Sequence, residues 1–268
     1  MNYKLIVGWL YPELMSTYGD RGNIISLTKR CQWRDIDVEV LRIDEKTEIS
    51  RLPSIDLLFG GGAQDLEQEI VMQDLKGKKG DLIKKRIEDH MPALFVCGAP
   101  QLMGEYYEPS IGKRIEGLGI FDMVSKHPGP TAKRLIGNTL AEVAWNSLLN
   151  TKDQRLASRR SGPKADTIVG FENHGGRTYL GKNAKPFAKV IKGFGNNGED
   201  GTEGVIYKNA IGCYFHGPLL PKNPHIADFL IMRTLEVKYK KEIHLATLDD
   251  ALEWQAHEAI ARKIKSEL

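Results

Sequence analysis

Cysteine is scarce in this chain: only Cys31, Cys97 and Cys213 occur among 268 residues. Three is an odd number, and no two are spaced as metal ligands, so neither a disulfide framework nor a zinc module accounts for them. Free thiols in a reducing cytoplasm are the expected setting. Long apolar runs are missing too. No stretch of about 18 apolar residues reads as a membrane span, and Lys4 and Glu13 bracket a short strand-like segment where a secretory leader would carry its apolar core. Membrane insertion is therefore not expected. Charge of one sign is also lacking: 38 Lys and Arg against 35 Asp and Glu leave a formal +3, too little to argue for a nucleic-acid partner. The local basic clusters at 76–79, 84–86, 155–160 and 238–241 read as solvated surface. Finally, no P-loop of the Gly-x-x-x-x-Gly-Lys-Ser/Thr type is present, so ATP chemistry has no seat here.

What is present suits an α/β protein. A 41% hydrophobic and 27% charged composition is ordinary for a globular chain, and the length supports one substantial core. Strand patterns at 4–9, 38–43 and 54–59 alternate with helical ones at 21–34, 65–74 and 81–89. This alternation predicts a mostly parallel sheet with helices on both faces. The stretch 105–131 is rich in Gly, Pro and Lys and carries no clear pattern. Beyond it, strands are expected at 134–143, 168–171, 189–191, 204–207 and 210–215, with an exposed insertion at 152–166. Asn223 is placed to cap a helix running to about Glu236, and an amphipathic helix is expected at 248–264. No repeat or linker divides the chain, so residues 1–268 are read as one domain.

The segment Pro92-Ala93-Leu94-Phe95-Val96-Cys97-Gly98-Ala99-Pro100-Gln101 stands out. A buried-strand composition stops on a cysteine, and a Gly-Ala-Pro turn leads into a helix-compatible stretch. A packed core thiol needs no such turn. At a strand-turn-helix elbow the side chain is presented, and the amides that follow it open a helix whose dipole favours a thiolate. His216, followed by Gly217-Pro218, ends another expected parallel strand and is the candidate base. Gly60-Gly61-Gly62 ends a third strand on the same edge, where open sheets bind ligands. These glycines suit an oxyanion hole better than a phosphate cradle, because both the P-loop lysine and the Gly-x-Gly-x-x-Gly spacing are missing.

Four ordered motifs then carry a family resemblance. They are Phe59-Gly60-Gly61-Gly62-Ala63-Gln64-Asp65, Val96-Cys97-Gly98-Ala99-Pro100-Gln101-Leu102-Met103-Gly104, Gly170-Phe171-Glu172-Asn173-His174-Gly175-Gly176-Arg177 and Tyr214-Phe215-His216-Gly217-Pro218. Together they resemble the class I glutamine amidotransferases of the cobyric-acid-synthase branch, which have a flavodoxin-like α/β fold. Tyr18-Gly19-Asp20-Arg21-Gly22-Asn23-Ile24 and the run from His216 to Asn223 look particularly like the GatD family, the glutaminase subunits of lipid II isoglutaminyl synthase.

The resemblance implies roles. Cys97 matches the nucleophile that turns L-glutamine into a glutamyl thioester and ammonia, and His216 matches the general acid/base. Gly62 and Gly98 match the oxyanion-hole positions, Gln101 a glutamine contact, and Arg134 the arginine that engages substrate, where a guanidinium suits an α-carboxylate. An ordinary surface arginine is the alternative for Arg134. Many class I members follow the histidine with Pro-Glu and so complete a triad. Here Gly217 and Pro218 follow, so the orienting carboxylate is expected from Glu172, Asp228 or a partner. No metal or cofactor is expected in this chain. The resemblance implies a heterodimer with a MurT-like, Mur-ligase-like synthetase that holds ATP and Mg and makes D-isoglutamine in lipid II. Glutaminase service to a cobyrinate-type amidation, or a catalytically silent binding subunit, are the alternatives.

Overall fold

Strand alternation explains the centre of the molecule. A computed structural model describes residues 3–148 and 166–266. The expected insertion therefore lies almost wholly outside the described residues. Strands β1 (Lys4–Leu10), β2 (Asp37–Ile43), β3 (Leu57–Gly60), β4 (Ala93–Val96), β13 (Val205–Tyr207) and β14 (Ala210–Cys213) form one six-stranded sheet in the order β13-β14-β4-β3-β1-β2. All pairings are parallel except the β13–β14 hairpin at one edge. β3, β4 and β14 are buried along their whole lengths, as expected where both faces of a parallel sheet are covered.

Successive side chains divide between two cores. Leu57, Phe59, Leu94, Val96 and Ile211 pack on one face, with α1 (Arg21–Gln32) and the Pro224–Tyr239 helix. Leu58, Ala93 and Phe95 pack on the other, with α2 (Asp65–Leu75), α3 (Lys78–Glu88) and α4 (Gly98–Met103). The period of two in the strands produces this division.

Two further four-stranded sheets follow, the first taking up the stretch 105–131 that carries no clear pattern and the second built largely from the strands expected at 134–143, 168–171 and 189–191. One joins β10 (Arg177–Leu180), β7 (Met123–Lys126), β5 (Tyr106–Glu108) and β6 (Ile115–Glu116). The other joins β12 (Thr202–Glu203), β11 (Ala188–Lys192), β8 (Leu135–Val143) and β9 (Thr167–His174). The terminal helix, Ala251–Ser266, sets Ile264 against Leu140 and Val169 of β8 and β9. Asn223 precedes the Pro224–Tyr239 helix as expected, but its side chain does not cap it. It accepts the Val169 amide and donates to the Val169 carbonyl, tying the helix start to β9.

Topology sets where a site can form. β2 lies on one side of β1 and β3 on the other, so the segments leaving β1 and β3 open a crevice at the carboxyl edge. Residues 11–20 and 60–65 meet there. Cys97 after β4 and His216 after β14 reach the same edge.

Candidate active site

Cys97 sits where the sequence places it, between β4 and α4. Its backbone has φ 55° and ψ −97°, a conformation L-residues rarely adopt, and its amide donates to the Cys213 carbonyl at 2.8 Å. Such strain persists only when the surroundings impose it, and it projects the side chain from the elbow. The thiol is 8% exposed on a cavity of about 670 Å³. Cys31 and Cys213 are buried among packed residues, and burial raises both thiols, Cys31 to about 12.

His216 is fully buried. Its backbone exchanges two hydrogen bonds with Phe171 of β9, which joins the second sheet to the catalytic edge. Nδ1 lies 3.0 Å from Asp20 Oδ1. Nε2 has no partner among the described side chains and backbone other than its approach to Cys97. Burial opposes the imidazolium, but the neighbouring Cys97 and Asp20 outweigh it and raise His216 to about 10. A cysteine, a histidine and a buried carboxylate thus stand in line.

Asp20 is the carboxylate that faces His216, and neither Glu172 nor Asp228 does. Glu172 is buried and accepts the amides of Phe194 and Gly195 at 3.0 Å. Asp228 pairs with Arg30 and Arg34, in a cluster that also binds Asp250 ahead of the terminal helix. Both carboxylates hold structure away from His216.

The glycines make room for close contacts. A Cβ on Gly62 would stand 2.7 Å from His216 Cε1 and 3.4 Å from Cys97 Cβ. A Cβ on Gly22 would meet Pro218 at 2.3 Å, and the Asn23 side chain accepts the Leu220 amide. The segment 18–24 thereby locks the loop that follows His216. One expectation needs correction: the Gly62 amide is not free to face an oxyanion, because it donates to Asp20 Oδ2 at 2.7 Å. The Gly62 carbonyl is held by both the amide and the hydroxyl of Thr17. In a trans peptide this turns the Ala63 N–H away from Thr17. Ala63 N lies 2.9 Å from where a Gly98 Cβ would be, so Gly98 must be glycine to let the two segments approach.

These elements lie within a single family pattern: residues 6–224 match the CobB/CobQ-like glutamine amidotransferase domain. The chain belongs to that amidotransferase family. The GatD subunit of lipid II isoglutaminyl synthase (glutamine-hydrolyzing) from Streptococcus pneumoniae is 36% identical over 252 residues, covering 93% of this chain and 88% of that one. Its counterpart from Staphylococcus aureus is 38% identical over 236 residues, covering 88% and 86%. A probable cobyric acid synthase from Methanothermobacter thermautotrophicus is 25% identical, and the match spans only 35% of that protein. Among solved structures, a glutamine amidotransferase aligns at a TM-score of 0.54 with 14% identity, covering 85% of this chain and 98% of the other. That likeness shows the fold alone.

The amidotransferase cavity is lined by Cys97, Gln101, Arg134, Asn173 and His174. Arg134 is splinted by Asn173, which accepts Nε at 2.9 Å on its side chain and Nη2 at 2.8 Å on its carbonyl. Gln101 is buried, and its Nε2 donates to the Tyr214 hydroxyl at 3.1 Å. The Tyr214 ring stacks on His174 with centroids 3.8 Å apart. His174 Nδ1 lies 2.8 Å from the Gly176 carbonyl, which can only accept, so that nitrogen carries the proton. Gly175 and Gly176 leave space for Arg134 and Gln101: a Cβ on either would come within 3.4 Å of Arg134 Nη1 or 2.8 Å of Gln101 Nε2.

Proposed function

We propose that this amidotransferase is the glutaminase subunit of a lipid II isoglutaminyl synthase, with Cys97, His216 and Asp20 as its catalytic triad. The observation that carries the reading is the meeting of these three side chains in a chain that matches GatD subunits over most of both lengths.

The chemistry follows from the geometry. Cys97 Sγ gives its proton to His216 Nε2 and attacks the carboxamide carbon of L-glutamine. The oxyanion is met by the Gly98 amide at the start of α4, with the Ala63 amide beside it. His216 returns the proton to the nitrogen, the C–N bond breaks, and ammonia leaves a γ-glutamyl thioester on Cys97. Water then attacks the thioester, His216 takes its proton, and the thiol is expelled with glutamate. Asp20 fixes the imidazole so that Nε2 faces sulfur, and it stabilises the imidazolium in both halves. Arg134 holds the α-carboxylate.

Ammonia released to water at neutral pH is mostly protonated and non-nucleophilic, so it has to be handed on. The proposed acceptor is a Mur-ligase-like partner that holds ATP and Mg and activates the α-carboxylate of D-glutamate in the lipid II stem peptide. A cobyrinate-type reading is weaker, because the matching cobyric acid synthase is far longer than this chain. The test is a reconstitution with glutamine labelled by ¹⁵N at the side-chain amide, the ligase subunit, ATP and lipid II. Label should enter D-isoglutamine. Transfer to a corrinoid acid instead, with none to lipid II, would overturn the assignment.

A further inference from the structure

Gln68 is a buried polar side chain whose amide nitrogen has a partner and whose amide oxygen has none among the described residues. It is 2% exposed, lies on the second turn of α2 and faces the same cavity as Cys97. Its Nε2 donates to the Ala63 carbonyl at 3.3 Å, while Oε1 has no partner among the described residues. Turning the amide over would set Oε1 against the Ala63 carbonyl, two acceptors facing each other, so the free atom is the acceptor. The group stands next to the nucleophile elbow: its Cδ is 3.3 Å from where a Gly98 Cβ would be.

An orphaned acceptor in a buried position is costly unless something bonds to it. The substrate carboxamide brings such a donor. With its oxygen on the oxyanion-hole amides, its NH₂ group still has two hydrogens to place. We propose that Gln68 Oε1 accepts an N–H of the scissile carboxamide and so selects glutamine over glutamate. This deepens the glutaminase reading and rests on it.

The product differs from the substrate at this group. Glutamate places a carboxylate oxygen where the NH₂ was, and that oxygen faces Oε1 as acceptor against acceptor. A site built around a substrate N–H rejects the analogue that lacks it. Gln68 therefore both positions the leaving nitrogen and favours release of the hydrolysed product. Once His216 has protonated the nitrogen, the departing ammonia still has a hydrogen for Oε1.

The test measures two constants in the same complex: the KM for glutamine and the inhibition constant for glutamate, in wild type and in Gln68→Met and Gln68→Leu. Wild-type turnover establishes the glutaminase reading independently, and its absence would fail that reading rather than this one. In the variants, KM for glutamine should rise about tenfold, the loss of roughly one neutral hydrogen bond, while glutamate inhibition stays the same or tightens. A parallel rise in both constants would show that Gln68 only shapes the pocket, and unchanged constants would show that it does neither. Either result overturns the proposal. If both variants fail to fold by circular dichroism, Gln68→Glu is measured the same way. Its carboxylate keeps an acceptor at this position, so where it is ionised this variant should bind glutamate more weakly relative to glutamine than wild type does, and a ratio equal to the wild type's or shifted towards glutamate would overturn the proposal.

Discussion

Asp20 Oδ1 lies 3.0 Å from His216 Nδ1 across 196 residues of sequence, while its other oxygen accepts the Gly62 amide at 2.7 Å. One buried carboxylate thus orients the His216 ring and anchors the glycine loop beside Cys97. The segments leaving β1 and β3 are neighbours at the switch point of the sheet, which is why a residue just before α1 can do this.

Asp20→Asn keeps the shape but withdraws the charge. Glutamine hydrolysis should fall about 10²- to 10⁴-fold. His216 is held up to about 10 in part by Asp20, so removing that carboxylate lowers its pKa. The acid form that protonates the leaving nitrogen is then lost at lower pH. The alkaline limb of the kcat profile should move downward. A reduced rate with an unmoved alkaline limb would contradict this role.

Gly62→Ala tests crowding at the same point. Its Cβ would be 2.7 Å from His216 Cε1, and the ring is pinned by Asp20 and cannot yield cheaply. Activity should drop more than about tenfold, with stability lowered by roughly 1–3 kcal/mol as in other overpacked sites. Ammonia release and thermal melts measure the two effects separately.

Arg134→Ala should raise KM for glutamine about 10- to 100-fold and leave kcat largely unchanged, since the proposed contact is to the α-carboxylate, a part of the substrate that does not react. Asn173→Ala, which removes the splint from Nε, should shift KM in the same direction by less. Unchanged kinetics would return Arg134 to an ordinary surface residue.

Glu203 predicts a pH effect on stability. Burial, and then the neighbouring Glu172, raise its pKa from 4.5 to about 8, while Oε1 accepts the Tyr214 amide at 2.6 Å. Between those two pH values the folded chain keeps a proton that the unfolded chain releases. Stability from this group is therefore whole below about 4.5 and is lost as pH rises through about 8. Glu203→Gln, always neutral, should gain Tm over wild type progressively from pH 5 to pH 8.5. A gain that does not change with pH would contradict the assignment.

Much of this was legible in the residues. The parallel sheet followed from apolar strands ended by Gly60, Cys97 and His216, and those ends also marked the site. Asp20 was not legible as a catalytic partner, because a lone aspartate before a helix looks like a cap. Only the adjacency of β1 and β3 gives it another role. The run 18–24 did carry a signal, as part of the family resemblance, and it is the segment that clasps His216. Strands β5, β6 and β7 are two to four residues long and separated by glycine- and proline-bearing turns, too short for a period of two to show. Gln68 falls at helical spacing among polar residues, and only its burial separates it from them.

The central claim is that Cys97, His216 and Asp20 of this chain together break the glutamine carboxamide. The most direct measurement is ammonia release from L-glutamine by the assembled complex, with each of the three residues changed in turn. No measurable release is expected for Cys97→Ala and His216→Ala, and a residual rate about 10²- to 10⁴-fold below wild type for Asp20→Asn, each with the fold retained. Wild-type rates in Cys97→Ala, or in Asp20→Asn, would contradict that claim.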